Sequence, residues 1–257
     1  MEDGIDREER GKDQPNDSPR CKSPLPSSSE PYLRNFIKLA ISNEILRFGD
    51  FKLKSGRSSP YFYNAGLFNT GLLLNAIGLS YARRIVEAVE RDGLEFEVLF
   101  GPAYKGIPLA AITAVELNRI DPMRYKSVGV TYNRKEAKEH GEGGTIVGAK
   151  LEGRRTLVLD DVITAGTAIR ESIELIRGQG GRFVGVVVNL DRQERSGESD
   201  RSAIEMMEEE FEVKVYAVLR LMDIISFMRS TGGFEEQLER MENYRQNWGI
   251  DQIRQSQ

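Results

Sequence analysis

Cysteine and histidine are almost missing from this chain of 257 residues, which holds one of each, Cys21 and His140. That excludes an internal disulfide framework, a CxxC metal site and a histidine-rich metal centre. Long apolar runs are missing too. None approaches the length of a membrane span, and residues 1–30 lack the apolar core of a signal peptide. They also carry too many acids for a mitochondrial transit sequence, so the sequence points to a cytoplasmic protein away from membranes. Nor does one sign of charge dominate: 36 Lys and Arg stand against 40 Asp and Glu, a formal net charge of −4. A broad basic field that would hold nucleic acid is thereby excluded, and any positive charge that matters has to be local.

Residues 1–30 are charged in both senses, carry Pro15, Pro19, Pro24 and Pro26 and the run Ser27 to Ser29, and offer almost nothing to bury. They read as a disordered tail. The domain starts at Pro31. Apolar positions from Leu33 to Ile45 follow helical spacing up to Gly49, and a hairpin is expected through FKLKSGRSSPYFYNAG. Helices are expected over Leu72–Val89, Leu109–Leu117, Ala168–Ile176 and Ala203–Phe211, and from Met222 and Phe234. Buried strands are expected over Phe96–Phe100, Ser127–Tyr132, Thr156–Leu159, Phe183–Leu190 and Val213–Leu219. Strands separated by helices predict an α/β fold whose central sheet is mostly parallel and flanked by helices. The length allows one such domain with attachments, or two small domains, but not a second full catalytic domain.

The most informative stretch is TLVLDDVITAGTAIRE, Thr156 to Glu171. A buried strand ends in Asp160 and Asp161, and Val162 and Ile163 lead into Thr164, Ala165, Gly166 and Thr167, a turn free of bulky side chains that opens a helix at Ala168. Backbone N–H groups in such a turn converge on an anion, helped by the unpaired donors of the helix start. Carboxylates at the carboxyl end of a parallel strand lie where open α/β sheets bind ligands, and they accept hydrogen bonds from neighbouring hydroxyls. Phosphate at one end and a diol at the other describe a ribose 5-phosphate. Either fragment alone reads as an ordinary turn; the combination is similar to the phosphoribosyl pyrophosphate (PRPP) signature of the type I phosphoribosyltransferases.

Two other stretches belong with it. GPAYKGIP follows the Phe96–Phe100 strand onto the same rim, where Gly101 and Gly106 free the backbone and Lys105 adds a cation. Asn133 to Gly148 gathers Arg134, Lys135, Lys138 and His140 among glycines, with little to bury, and reads as a long binding or lid loop. With LKSGRSSPYFYNAG and LDRQE (Leu190 to Glu194), these pieces make the chain resemble the orotate phosphoribosyltransferases from about Pro31 to the C-terminus.

The resemblance implies a type I phosphoribosyltransferase fold with a small N-terminal hood, about 31–70, and a mobile lid, about 133–148. It implies that Lys54 touches PRPP and that Tyr104 and Lys105 meet its pyrophosphate across an unusual, non-proline cis peptide at Ala103–Tyr104. Asp160 through Ala168 would hold the ribose 5-phosphate. Phe62, Tyr63, Thr164 and Arg192 would contact orotate, whose carboxylate suits a guanidinium fork. Arg134, Lys135, Lys138 and His140 would close over PRPP across a homodimer interface. Lys105, Lys135, Lys138, His140, Asp160 and Asp161 would carry the chemistry, and Mg²⁺ would enter bound mainly through PRPP. Two readings remain beside it at this stage. One is a phosphoribosyltransferase for a purine or another base, against which the Phe62 and Tyr63 rings and the Arg192 cation speak. The other is a PRPP-sensing regulator, which has no use for a cationic lid.

Overall fold

The computed structural model describes residues 30–53, 56–138, 144–163, 166–197 and 199–250. The reading of residues 1–30 as a tail lies outside these, except that Glu30 opens the first helix. So do Lys54, His140, Thr164 and Ala165 among the expected site residues, and the side chain of Lys138.

Six strands form the main sheet: β3 (Val98–Gly101), β4 (Gly129–Lys138), β5 (Gly144–Gly148), β6 (Arg155–Asp160), β7 (Arg182–Asp191) and β8 (Lys214–Arg220). Their spatial order is β5-β4-β3-β6-β7-β8, and only β5 runs antiparallel to its neighbour. Alternation along each strand divides the apolar side chains between two cores. Leu99, Leu157, Leu159 and Val187 face one way, against α2 (Gly71–Arg91) and α3 (Gly106–Ile120); α4 (Pro122–Tyr125) adds Tyr125 to the same core. Val98, Phe100, Val158, Val186 and Val188 face the other, against α5 (Thr167–Gly178) and α6 (Ala203–Phe211). Helical spacing puts Ile169, Ile173 and Ile176 of α5 on one buried stripe. Truncating such a residue to alanine costs about 2 to 5 kcal/mol.

The N-terminal layer consists of α1 (Glu30–Ser42) and an antiparallel pair, β1 (Leu46–Lys52) and β2 (Ser58–Tyr63). It shares the first core with the C-terminal helices α7 (Leu221–Thr231) and α8 (Glu235–Trp248), through Phe36, Ile37, Tyr61, Ile224 and Met241. Two sequence expectations change here. The first helix stops at Ser42, because Asn43 and Glu44 turn the chain, Glu44 with φ 56°, and the Ile45 N–H closes on the Ala40 carbonyl at 2.9 Å. Ile45 is fully buried, but ahead of a strand rather than on a helix, and Gly49 falls inside β1.

The second change is larger. The stretch read as a loop from Asn133 is the continuation of β4 to Lys138, with β5 folded back beside it as an antiparallel arm. Such a ladder is held by backbone hydrogen bonds and needs no buried face, so hydropathy carries no signal for it.

Candidate active site

Strand order reverses between β3 and β6: from β3 the chain moves outward to β4 and β5, returns to β6 beside β3, and then proceeds the other way. A crevice for ligands opens at the carboxyl ends of strands flanking such a reversal. The two loops that leave it are Pro102–Lys105 and Asp161–Gly166, both singled out by the sequence.

The first loop folds sharply back on itself. A Cβ on Gly101 would lie 2.1 Å from the Gly106 carbonyl oxygen, and one on Gly106 would lie 2.6 Å from Pro102 Cδ, so neither position admits a side chain. The Ala103–Tyr104 peptide is cis, as the resemblance implied. The Ala103 N–H donates to Asn133 Oδ1 at 2.8 Å, which ties the loop to the root of the β4–β5 arm. Tyr104 projects into solvent with 72% exposure. Lys105 Nζ reaches across the crevice to Asp161 Oδ2 at 2.7 Å.

In the second loop the acids are held by the backbone around them. Asp160 Oδ1 accepts from the Asp161 N–H and Asp161 Oδ1 from the Val162 N–H, both at 2.9 Å. The Asp160 carbonyl accepts from the buried Tyr81 hydroxyl at 2.6 Å, and the Asp161 carbonyl from the Asn189 N–H at 2.8 Å. Burial pushes the Asp160 carboxyl up to about 6, with the charge of Asp161 adding to the shift and Lys105 opposing it. Val162 and Ile163 pack into opposite cores, so a ligand on this loop meets their backbone rather than their side chains. Gly166, at φ 72°, is the N-cap of α5 and makes no side-chain cap bond. A Cβ there would stand 2.6 Å from Met207 Cε. Thr167 and Ala168 form the exposed first turn of α5, where the N–H groups have no partner within the helix.

The remaining expected residues are placed more unevenly. Arg134 and Lys135 follow Asn133 on β4, Arg134 half-buried and Lys135 exposed. Phe62 and Tyr63 are neighbours on one strand and therefore point to opposite faces. Tyr63 is buried, its hydroxyl on the Asn189 side-chain oxygen, and burial above all raises its phenol pKa. Phe62 stacks on Phe51 at 5.4 Å with the Arg47 guanidinium 5.7 Å from its ring. The two rings do not stand side by side as one wall. Arg192, just after β7, lies against Ser59, Tyr61 and Glu194.

Sequence reasoning missed Asn133, Tyr81 and Asn189, which hold the two loops, and gave Ser59, Tyr61 and Glu194 no role. Tyr81 and Asn189 sit on apolar faces and look like core; Asn133 stands next to a charge run that draws attention away from it.

No group of three or more His, Cys, Asp or Glu among the described residues could hold a metal on its own. Asp160 and Asp161 are hard-oxygen donors at the rim, which suits a Mg²⁺ ion that already carries diphosphate oxygens.

Comparison with known proteins places this site in a family. A family model described as the phosphoribosyl transferase domain matches residues 73–219. The orotate phosphoribosyltransferase of Shigella flexneri is 49% identical over 221 residues, 86% of this chain and 100% of that protein. That of Kluyveromyces lactis is 47% identical over 228 residues, covering 88% of this chain and 99% of the relative. The crystal structure of the Francisella tularensis orotate phosphoribosyltransferase superposes with a TM-score of 0.72 at 38% identity, over 84% of this chain and 99% of that one. With a family model over more than half of its length and relatives close to half identical over most of it, the chain belongs to the phosphoribosyltransferase family, in its orotate phosphoribosyltransferase branch.

Proposed function

We propose that this protein transfers the phosphoribosyl group of PRPP to orotate, giving orotidine 5′-monophosphate and pyrophosphate in pyrimidine nucleotide synthesis. The observation that carries the reading is the meeting of the two crevice loops, Lys105 on Asp161 at 2.7 Å, in a chain close to half identical to orotate phosphoribosyltransferases over most of its length. Lys105 is exposed over 61% of its side chain, so its ion pair with Asp161 contributes little to stability and gives way easily. The ribose hydroxyls of PRPP then donate to Asp160 and Asp161, and the freed ammonium turns to the pyrophosphate beside Tyr104. The 5′-phosphate takes the backbone donors of Ile163 to Ala168, and Lys54 meets PRPP from the N-terminal hairpin.

Breaking the bond from the anomeric carbon to pyrophosphate leaves an electron-poor, oxocarbenium-like ribose while charge builds on the leaving group. No protein nucleophile is needed. Lys105 with Arg134, Lys135, Lys138 and His140 of the arm stabilises the leaving group; removing one such preorganised group costs about 3 kcal/mol of barrier. Mg²⁺, when bound on the diphosphate near Asp160 and Asp161, adds charge neutralisation to the same group. Orotate lies beside Arg192, near Phe62, Tyr63 and Thr164. The arm also shuts out water, which would otherwise hydrolyse PRPP.

The working form in this reading is a homodimer in which each arm closes on the partner's site. Leu72 of α2, Val115 of α3 and Met123 of α4 are large apolar side chains left 68%, 52% and 80% exposed, which supports a second copy seated there. The deciding experiment mixes protein, Mg²⁺, PRPP and orotate and follows the loss of orotate absorbance. Turnover of adenine or hypoxanthine but not orotate would overturn the assignment in favour of a purine enzyme. PRPP binding without turnover of any base would leave only a sensor.

A further inference from the structure

Arg192 is held away from water: its side chain keeps 17% exposure and that of Glu194 keeps 12%. A guanidinium so placed needs its donors filled and its charge answered. Glu194 Oε1 accepts from Nε at 2.8 Å, Ser59 Oγ accepts from Nη2 at 3.2 Å, and the Tyr61 ring centre lies 4.7 Å from the guanidinium carbon. The direction of the Ser59 contact is settled by its other bond. Its hydroxyl proton goes to the Tyr61 carbonyl at 2.8 Å, leaving lone pairs for the arginine. The Tyr61 hydroxyl in turn reaches Glu194 Oε1 at 3.4 Å.

These supports come from separate parts of the fold, and each is anchored. Ser59 and Tyr61 belong to β2. Glu194 belongs to the loop after β7, where it bridges to Gly249 behind α8. Arg57, from the turn before β2, donates to the carbonyls of Arg195 and Gly197 at 2.7 and 3.0 Å while lying 4.5 Å over Trp248. Gln193, beside Arg192, adopts φ 52° and accepts the Met222 N–H at 3.0 Å. The loop cannot swing without displacing the hairpin, α7 or α8.

We propose that Glu194 is a positioning residue that sets the preference for a base bearing a carboxylate, by holding the Nε edge of Arg192 so that its two terminal nitrogens face the base. This rests on the reading above that Arg192 meets orotate. Ser59, a neutral acceptor at the longer distance, is the contact that yields when a carboxylate arrives; Glu194, charged and closer, is the one that stays. A guanidinium released from Glu194 would sample several orientations and lose the fork-to-fork geometry that separates a carboxylate from a neutral substituent.

The test is steady-state kinetics of the full chain with orotate, and with uracil as a pyrimidine that lacks the carboxylate. Glu194→Ala is expected to raise KM for orotate about tenfold, as loss of one hydrogen bond to a charged group does. It should lower the orotate-to-uracil ratio of kcat/KM to match and leave KM for PRPP unchanged. Glu194→Gln keeps an acceptor for Nε and is expected to recover most of the loss. If Arg192→Ala raises KM for orotate while Glu194→Ala leaves it and the ratio at wild-type values, the inference is overturned and the role of Arg192 stands. A proportional rise of both KM values in Glu194→Ala also overturns it, as general loosening of the site. If Glu194→Ala does not fold, Glu194→Asp decides, since it keeps the charge but draws the carboxylate back from Nε: a lowered ratio supports the positioning role and a wild-type ratio ends it. An unchanged KM for orotate in Arg192→Ala removes the reading on which all of this stands.

Discussion

Asp160 occupies a position where water cannot fully solvate its charge, and its carboxyl pKa of about 6 lies above the ordinary 3.8. The native protein therefore holds that proton up to about pH 6, whereas the unfolded chain releases it near pH 4. Unfolding releases a proton inside this window, so stability from this group falls as pH rises through it and stays lower above. Asp160→Asn keeps the acceptor for the Asp161 N–H and removes the charge. We expect it to stabilise the ligand-free protein at pH 7.5 by on the order of 1 to 3 kcal/mol, a few degrees in Tm. The advantage should vanish by pH 4, while kcat/KM for PRPP drops at neutral pH. Thermal melts at both pH values check the sign, and a Tm gain equal at both would refute it. Asp161→Asn is expected to behave differently. Its lost partner is a largely exposed lysine, so PRPP use should fall with little change in Tm at either pH.

Among the elements, the β4–β5 arm and the Pro102–Lys105 loop are joined through the Asn133 side chain by its 2.8 Å bond from the Ala103 N–H. That bond aims the segment carrying Tyr104 and Lys105. Asn133→Leu leaves the ladder with β5 in place, since the pairing of Asn133 with Ile146 is made by backbone. The expected outcome is a fall of about tenfold in kcat/KM for PRPP, with KM for orotate and the far-UV circular dichroism unchanged. An equal loss toward both substrates would show that the side chain merely supports the fold. The arm was illegible as an element for a related reason. Hydrophobic periodicity reports burial, and the stretch from Asn133 to Lys138 meets β5 at its two ends, on Ile146 and Gly144, with an irregularity between, whereas β6 and α5, embedded in a core, were readable from Thr156 to Ile176.

For the whole molecule, the proposed arrangement in trans makes a prediction that single subunits cannot satisfy. Lys138→Ala removes an arm cation and Asp161→Asn removes a ribose acceptor, and each protein alone is expected to be nearly inactive. In a mixed dimer, one of the two sites receives an intact arm from one subunit and an intact crevice from the other. Mixing the two proteins under conditions of subunit exchange should restore up to about a quarter of wild-type activity on statistical grounds, half the dimers being mixed with one good site each. Exchange demonstrated by mass spectrometry without recovery would mean that each arm serves its own crevice.

What the sequence determined by itself was local and periodic: the strand that ends in Asp160 and Asp161, the small-residue turn up to Gly166, the glycines at 101 and 106, and the alternation of buried strands with helices. These are legible because side-chain period and backbone freedom depend on residues close in the chain. Tertiary structure alone decided the rest. The sheet order brings β3 beside β6 so that Lys105 meets Asp161, and the N-terminal hairpin packs against the C-terminal helices so that Ser59 and Tyr61 reach Arg192 and Glu194. Such pairings join residues 56 and 133 positions apart. They are selected by which faces can be buried together, a condition on the whole chain that no window of it contains.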